Sequence, residues 1–154
     1  MMTLRQALVS DIPALHTIRM AVRENVLSNP ALVTQKDYED FLTSAGRGWL
    51  CEVEGQVAGF AIVDMERHNV WALFVHPDYE GRGTGKRLQD AMLQWYFTQT
   101  GHTLWLSTGP GTRAEAFYRR TGWRETGTTP GGETRFEMSR EDWLGSRGAG
   151  YKSL

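Results

Sequence analysis

The sequence predicts an α/β fold, layered in the α+β manner, with helices packed on a mixed sheet. Three observations carry that expectation. Helical stripes and short apolar strands alternate along the chain instead of falling into separate blocks. The apolar run Val70-Trp71-Ala72-Leu73-Phe74-Val75 leads into a helix and then into the strand Leu104-Trp105-Leu106, the order of a right-handed crossover between parallel strands. The chain has 154 residues, 40% of them hydrophobic and 23% charged, an ordinary globular balance that needs no disulfide or metal staple. Disorder, a collagen-like chain and a disulfide scaffold are excluded, and the domain is expected over residues 1–144, with a flexible tail over 145–154.

The elements follow in order. Leu4 to Val9 reads as a first strand. Ser10 and Asp11 offer an N-cap, Pro13 suits a first helical turn, and Ile12, Leu15, Ile18 and Val22 form one apolar face ending near Asn25. Thr34 caps a second helix with Tyr38, Phe41 and Leu42 inside, and Gly46 and Gly48 are read as its stop. Trp49–Val53 and Val57–Val63 flank Glu54-Gly55-Gln56 as a hairpin. The run from Val70 to Val75 suits a strand covered on both faces. Leu88, Ala91, Met92 and Trp95 mark the next helix, which ends near Gly101. After Leu104–Leu106, the loop Gly109-Pro110-Gly111 precedes a short helix with Ala114, Phe117 and Tyr118 inside and Gly122 as its stop. Trp123 to Thr129 and Thr134 to Ser139 form a last hairpin around Pro130-Gly131-Gly132.

Charge and cysteine usage narrow the function. Lys and Arg number 17 against 18 Asp and Glu, so the chain lacks the basic excess of a dedicated nucleic-acid binder. A local basic patch is left to Arg113, Arg119, Arg120 and Arg124. Cys51 is the only cysteine and reads as a small buried hydrophobe. No basic segment followed by an apolar one opens the chain, and no apolar run approaches the roughly 20 residues of a membrane span, so a cytoplasmic location is expected.

The chemistry concentrates in His76-Pro77-Asp78-Tyr79-Glu80-Gly81-Arg82-Gly83-Thr84-Gly85-Lys86-Arg87. A strand runs into a glycine-rich loop that opens a helix. Successive backbone N–H groups then converge at the positive end of the helix dipole, and glycines let a bulky anion approach. This is a site for a phosphate or pyrophosphate. The P-loop pattern fails because Glu80 and Arg87 stand where it needs Gly and Ser or Thr. The dinucleotide pattern fails at Lys86, where it needs a third Gly.

A third pattern fits. His76-Pro77-Asp78-Tyr79 followed by Gly81-Arg82-Gly83-Thr84-Gly85 resembles the acetyl-CoA loop of the GNAT superfamily of N-acetyltransferases. Ala114-Glu115-Ala116-Phe117-Tyr118-Arg119-Arg120-Thr121-Gly122-Trp123 is similar to the same family's late helix and strand. The resemblance covers about Leu4 to Ser139 and implies a central sheet of about six or seven strands, helices on both faces, and a splayed cleft between the fourth and fifth strands. It implies that the N–H groups of Arg82, Gly83, Thr84, Gly85 and Lys86 hold the cofactor pyrophosphate, and that the backbone of Leu73, Phe74 and Val75 pairs with the pantetheine arm. It further implies that the Val75 N–H polarises the thioester carbonyl and that Tyr118 protonates the leaving thiolate, with no metal required.

The implied activity is acetyl transfer from acetyl-CoA to a primary amine of a small molecule or peptide. A non-catalytic acyl-CoA-binding sensor and a transferase for longer acyl chains are the alternatives. The resemblance places the start of the acceptor-binding loop where Arg19, Arg23, Glu24 and Asn25 end the first helix; of these Arg23 and Asn25, with Trp71 and Trp105 on two strands, are the leading candidate acceptor contacts. The chain departs from the family pattern at Glu80, at Gly111 where an Asn is common, and at Trp71 where many members carry a carboxylate. The base is therefore left open among Glu66, His68, His76 and a water chain, while His16 is read as a surface residue. Trp123, Phe136 and Trp143 are candidates for pairing in a homodimer.

Overall fold

Glu54 and Gly55 reverse the chain between strands β2 (Gly46–Val53) and β3 (Gln56–Asp64), with positive φ angles of 51° and 80°. Two consecutive positive φ values match the twist of a two-residue hairpin, so Gln56 joins the strand instead of the turn. The computed structural model describes the backbone of residues 1–150 and the side chains of residues 1–146. Backbone contacts divide the chain into two compact units, Met1–Tyr96 and the part from Phe97 onward.

In the first unit, β1 (Met2–Gln6) and β3 flank β2, and β4 (Asn69–Val75) flanks β3, all antiparallel. The first strand lies earlier than the expected Leu4–Val9, because Val9–Asp11 folds as a 3-10 turn. Asp11 stabilises that turn by accepting from the Leu8 N–H at 2.8 Å and pairing with Arg5 at 2.8 Å, so its carboxylate caps the turn and not the helix that follows. Helix α1 (Ile12–Ala21) buries Ile12, Leu15 and Ile18, as the periodicity predicts, but ends at Ala21 because Val22 is extended. Helix α2 (Gln35–Leu42) opens on a reciprocal cap: Thr34 Oγ1 accepts from the Asp37 N–H, and Asp37 accepts from the Thr34 N–H.

Gly46 and Gly48 do not end α2; they lie inside β2. A Cβ on Gly46 would stand 2.0 Å from the Val63 carbonyl oxygen, and one on Gly48 2.4 Å from a Leu42 methyl. These glycines admit a close backbone approach, a tertiary demand that looks like a helix stop in sequence. The core of this unit joins α1 and α2 to Leu50, Phe60, Ile62 and Ala72 of the sheet.

Strand β4 was expected to be covered on both faces, yet only Val70 and Ala72 are buried, while Trp71 and Leu73 to Val75 are partly exposed. Its ladder with β3 shifts register: Ile62 faces Ala72 and Val63 faces Val70, so Trp71 is an extra residue. Such a bulge re-aims a side chain and bends the strand.

Helix α3 (Thr84–Gln99) leads into the second unit, where β7 (Thr134–Met138) pairs antiparallel with both β5 (Leu104–Thr108) and β6 (Arg124–Thr128). Helix α4 (Arg113–Arg120) precedes β6, and Gly122 ends it with φ at 98°. Helix α5 (Arg140–Gly150) occupies part of the expected tail, and residues 151–154 lie outside the described residues. Ser139 and Asp142 cap α5 reciprocally, each accepting from the other's N–H at 3.0 Å. Trp123, Phe136 and Trp143 are 5%, 0% and 8% exposed, so they are core side chains of their own chain and offer no surface for the expected subunit pairing.

Candidate active site

The glycine loop belongs to the first unit. After Val75, the His76 N–H donates to the Ala58 carbonyl at 2.8 Å, and the ring Nδ1 accepts from the Asp78 N–H at 3.1 Å. His76 thus caps the 3-10 turn Pro77–Tyr79, an occupation that competes with the proposed base role. Gly81 and Gly83 follow with φ of 75° and 81° and no atom within 4 Å of a would-be Cβ. Their conformation, and not packing, requires glycine. Arg87 donates to the Gly83 carbonyl at 3.1 Å, so the amides of Thr84, Gly85 and Lys86 precede that helical bond at the positive end of α3. Thr84 is 1% exposed, and its Oγ1 is buried without a hydrogen-bond partner. The Lys86 ammonium pairs with Asp90 at 2.8 Å, and the Arg82 guanidinium lies 5.3 Å from the Tyr79 ring. The loop can present backbone donors to an anion while its lysine charge is partly engaged along the helix.

Leu73, Phe74 and Val75 line up on β4 opposite Ala61, Phe60 and Gly59. Gly59 has no room for a side chain, since a Cβ would meet the Phe74 carbonyl oxygen at 2.9 Å and α3 side chains at 3.1 Å and 3.2 Å. That close approach locks the end of β4 against β3 and the start of α3.

Tyr118 belongs to the second unit. It is 6% exposed and meets Phe117, Trp123 and Phe136 at ring-centroid distances of 5.4, 5.7 and 5.8 Å. Burial pushes its phenol above the ordinary value of 10.0, so the hydroxyl keeps its proton at neutral pH. Helix α4 is anchored at both ends. Thr112 accepts from the Glu115 N–H at 3.2 Å, and the Trp123 N–H donates to the Tyr118 carbonyl at 3.3 Å.

Sequence reasoning missed Glu115. It expected Ala114 and Phe117 inside, but these are only partly buried, and the buried pair is Glu115 and Tyr118. Glu115 accepts from the Gly111 N–H at 3.1 Å, from the Thr134 hydroxyl and from Arg119 at 3.0 Å. Led by the Thr134 hydrogen bond, these contacts hold its carboxyl below the ordinary value. The spacing Thr112-x-x-Glu115 and the i,i+4 pair with Arg119 were the available signals. Gly111, which departs from the family pattern, here donates to this carboxylate with φ at 74°.

The remaining candidates are placed as follows. Arg23 is exposed just past α1, and Asn25 adopts φ of 57°. Trp71 contacts Tyr38 at 5.4 Å and Phe41 at 4.7 Å. Trp105 is partly buried under the Arg135 guanidinium at 4.3 Å. His68 Nδ1 lies 2.8 Å from the Tyr96 hydroxyl. His16 is not a free surface residue: it is half-buried, with Nδ1 3.1 Å from the Tyr38 hydroxyl. The expected basic patch is largely neutralised, because Arg119 pairs with Glu115 and Glu125 and Arg124 pairs with Asp142. Cys51 is buried, and burial pushes its thiol up. Among the described residues, no helix is long and apolar enough to cross a membrane.

The glycine loop opens α3 in the first unit, and the buried Tyr118 lies on α4 in the second. The sequence matches the family model described as Acetyltransferase (GNAT) family over residues 12–123, and the chain belongs to that family. A search of curated proteins finds no match. Among solved structures, the ribosomal-protein-S18-alanine N-acetyltransferase of Escherichia coli is similar at 22% identity and a TM-score of 0.70, covering 90% of this chain and 92% of that one. PaiA N-acetyltransferase of Thermoplasma acidophilum, solved with coenzyme A, is similar at 12% identity and a TM-score of 0.78, covering 90% and 99%. The yncA protein of Salmonella typhimurium, solved with acetyl-CoA, is similar at 20% identity and a TM-score of 0.74, covering 90% and 94%. These likenesses establish the GNAT-like α/β fold.

Proposed function

We propose that this chain transfers the acetyl group of acetyl-CoA to a primary amine of a small molecule or peptide, by direct attack within a ternary complex. The observation that carries the reading is the loop after β4. Gly81 and Gly83 hold positive φ with open space where side chains would stand, directly ahead of the amides that begin α3. In this reading the N–H groups from Arg82 to Lys86 hold the pyrophosphate, and the backbone of Leu73, Phe74 and Val75 holds the pantetheine arm. The cosubstrate supplies an activated acyl carbon.

The acceptor nitrogen, once neutral, forms the new C–N bond. The Val75 N–H stabilises the developing oxyanion. The C–S bond then breaks, the sulfur takes a proton from the Tyr118 hydroxyl, the nitrogen releases its own proton to water, and water returns a proton to the Tyr118 oxygen, restoring the phenol. The phenol is neutral at neutral pH and so carries the proton this role needs, although burial, by raising its pKa, also makes it a weaker acid. Arg23, Asn25, Trp71 and Trp105 are proposed to contact the acceptor.

Trp71 stands where many members carry a carboxylate, which favours a second reading as a non-catalytic acyl-CoA sensor. One experiment separates them. Calorimetry measures acetyl-CoA binding, and a thiol-release assay follows acetyl-, succinyl- and longer acyl-CoA over a broad amine panel. Turnover fastest with acetyl-CoA is expected. Binding without turnover on any amine supports the sensor, faster turnover with a longer donor supports a different acyltransferase, and no binding overturns all three.

A further inference from the structure

Arg19, on the last turn of α1, is a cation without a counter-ion. Its guanidinium lies 4.2 Å from the centre of the Phe74 ring, and its Nη1 is buried without a hydrogen-bond partner. No carboxylate among the described residues pairs with it. Desolvation lowers its pKa, opposed only by Tyr38. Withdrawing a charge from water is unfavourable, and a cation over a ring face recovers only part of that loss.

The surroundings narrow the kind of partner that would suit it. Tyr38, bonded to His16, holds Trp71 edge-on, and Phe41 packs on the other side of that indole. Trp71 and Phe74 are three positions apart and would face opposite sides of a regular strand. The extra residue at Trp71 changes that parity, and both side chains pack against the core cluster built from α1 and α2. Arg19 thus offers a planar, forked donor beside an aromatic surface. A guanidinium fork matches a carboxylate in bidentate geometry. Phe74 directly precedes Val75, whose N–H is proposed to meet the thioester carbonyl.

We propose that the acceptor is an amine that also carries a carboxylate, and that Arg19 binds this carboxylate. The inference rests on the acetyl-transfer reading for its amine, but its binding test does not need turnover. N-acetylated amino acids, each beside its carboxamide, are titrated calorimetrically into the full-length chain, into Arg19→Gln and into Arg19→Lys. At least one acid is expected to bind about tenfold more tightly than its amide. Arg19→Gln should remove that preference and leave the amide's affinity unchanged, while Arg19→Lys, which keeps the charge, should retain part of it. Acids and amides binding alike, neither binding, or a preference surviving both substitutions overturns the proposal.

Thiol release with free amino acids against their amides is the kinetic arm, and the acids are expected to show the higher kcat/KM. Carboxylate-selective binding with no acetyl transfer to any amine overturns the catalytic reading alone. Equal turnover of acids and amides overturns the Arg19 proposal alone.

Discussion

Tyr118 holds its proton tightly because the residue is buried, its ring packed against Phe117, Trp123 and Phe136. A phenol in that state can donate a proton to a thiolate across the neutral range, and Phe at this position keeps the ring contacts while removing the donor. Tyr118→Phe should therefore lower kcat about 100-fold, the usual weight of a positioned acid, and leave acetyl-CoA affinity within about twofold. Steady-state kinetics and calorimetry on the same sample check both halves. Tyr118 was visible in the sequence because the Phe117-Tyr118 pair and the Gly122-Trp123 pair lie within one short motif. Glu115 was not visible, and for Arg19 the sequence offered an acceptor contact at the end of the first helix but not its place over the Phe74 ring. A charged residue reads as exposed unless its partners are known, and the Glu115 partners Thr134 and Gly111 and the Arg19 neighbour Phe74 are brought in by folding.

At the scale of elements, glycine serves two opposed purposes. In the loop before α3, Gly83 adopts φ of 81° in open space. In β2, Gly46 lies against the Val63 carbonyl, leaving no volume for a methyl. The same substitution should therefore read out differently. Gly83→Ala should raise the acetyl-CoA dissociation constant about tenfold through a strained, more crowded loop, at a stability cost of about 1 kcal/mol. Gly46→Ala should cost about 3 kcal/mol of stability, because backbone must shift to admit the side chain. Calorimetric titration and urea denaturation of the two variants test the pair. The α2 cap was legible because Thr34 and Asp37 complete it within one turn. The role of Gly46 was not, since the carbonyl that forbids a side chain comes from β3.

For the whole molecule, the buried phenols set an alkaline limit. Burial pushes Tyr38 and Tyr96 up to about 12, and Tyr118 is raised as well. The folded chain holds these protons more tightly than the unfolded one. Their stabilising contribution is therefore complete below the unfolded value of 10.0 and is lost as pH rises through about 12. Thermal unfolding should show a Tm insensitive to these groups up to about pH 10 and a steep fall above it. Tyr96→Phe should make that fall shallower, and an equally steep fall would remove Tyr96 from the explanation. The alternation of strands and helices, the Thr34 cap of α2 and the glycine loop ahead of α3 were determined by the sequence itself, because each depends on residues a few positions apart. Folding alone decided that Glu115 is buried on α4 as Tyr118 is, that the three late aromatic residues are core, that Trp71 is a bulge residue, and that Arg19 has no carboxylate partner among the described residues. Those properties depend on side chains brought together from distant parts of the chain, and spacing along the chain carries no record of them.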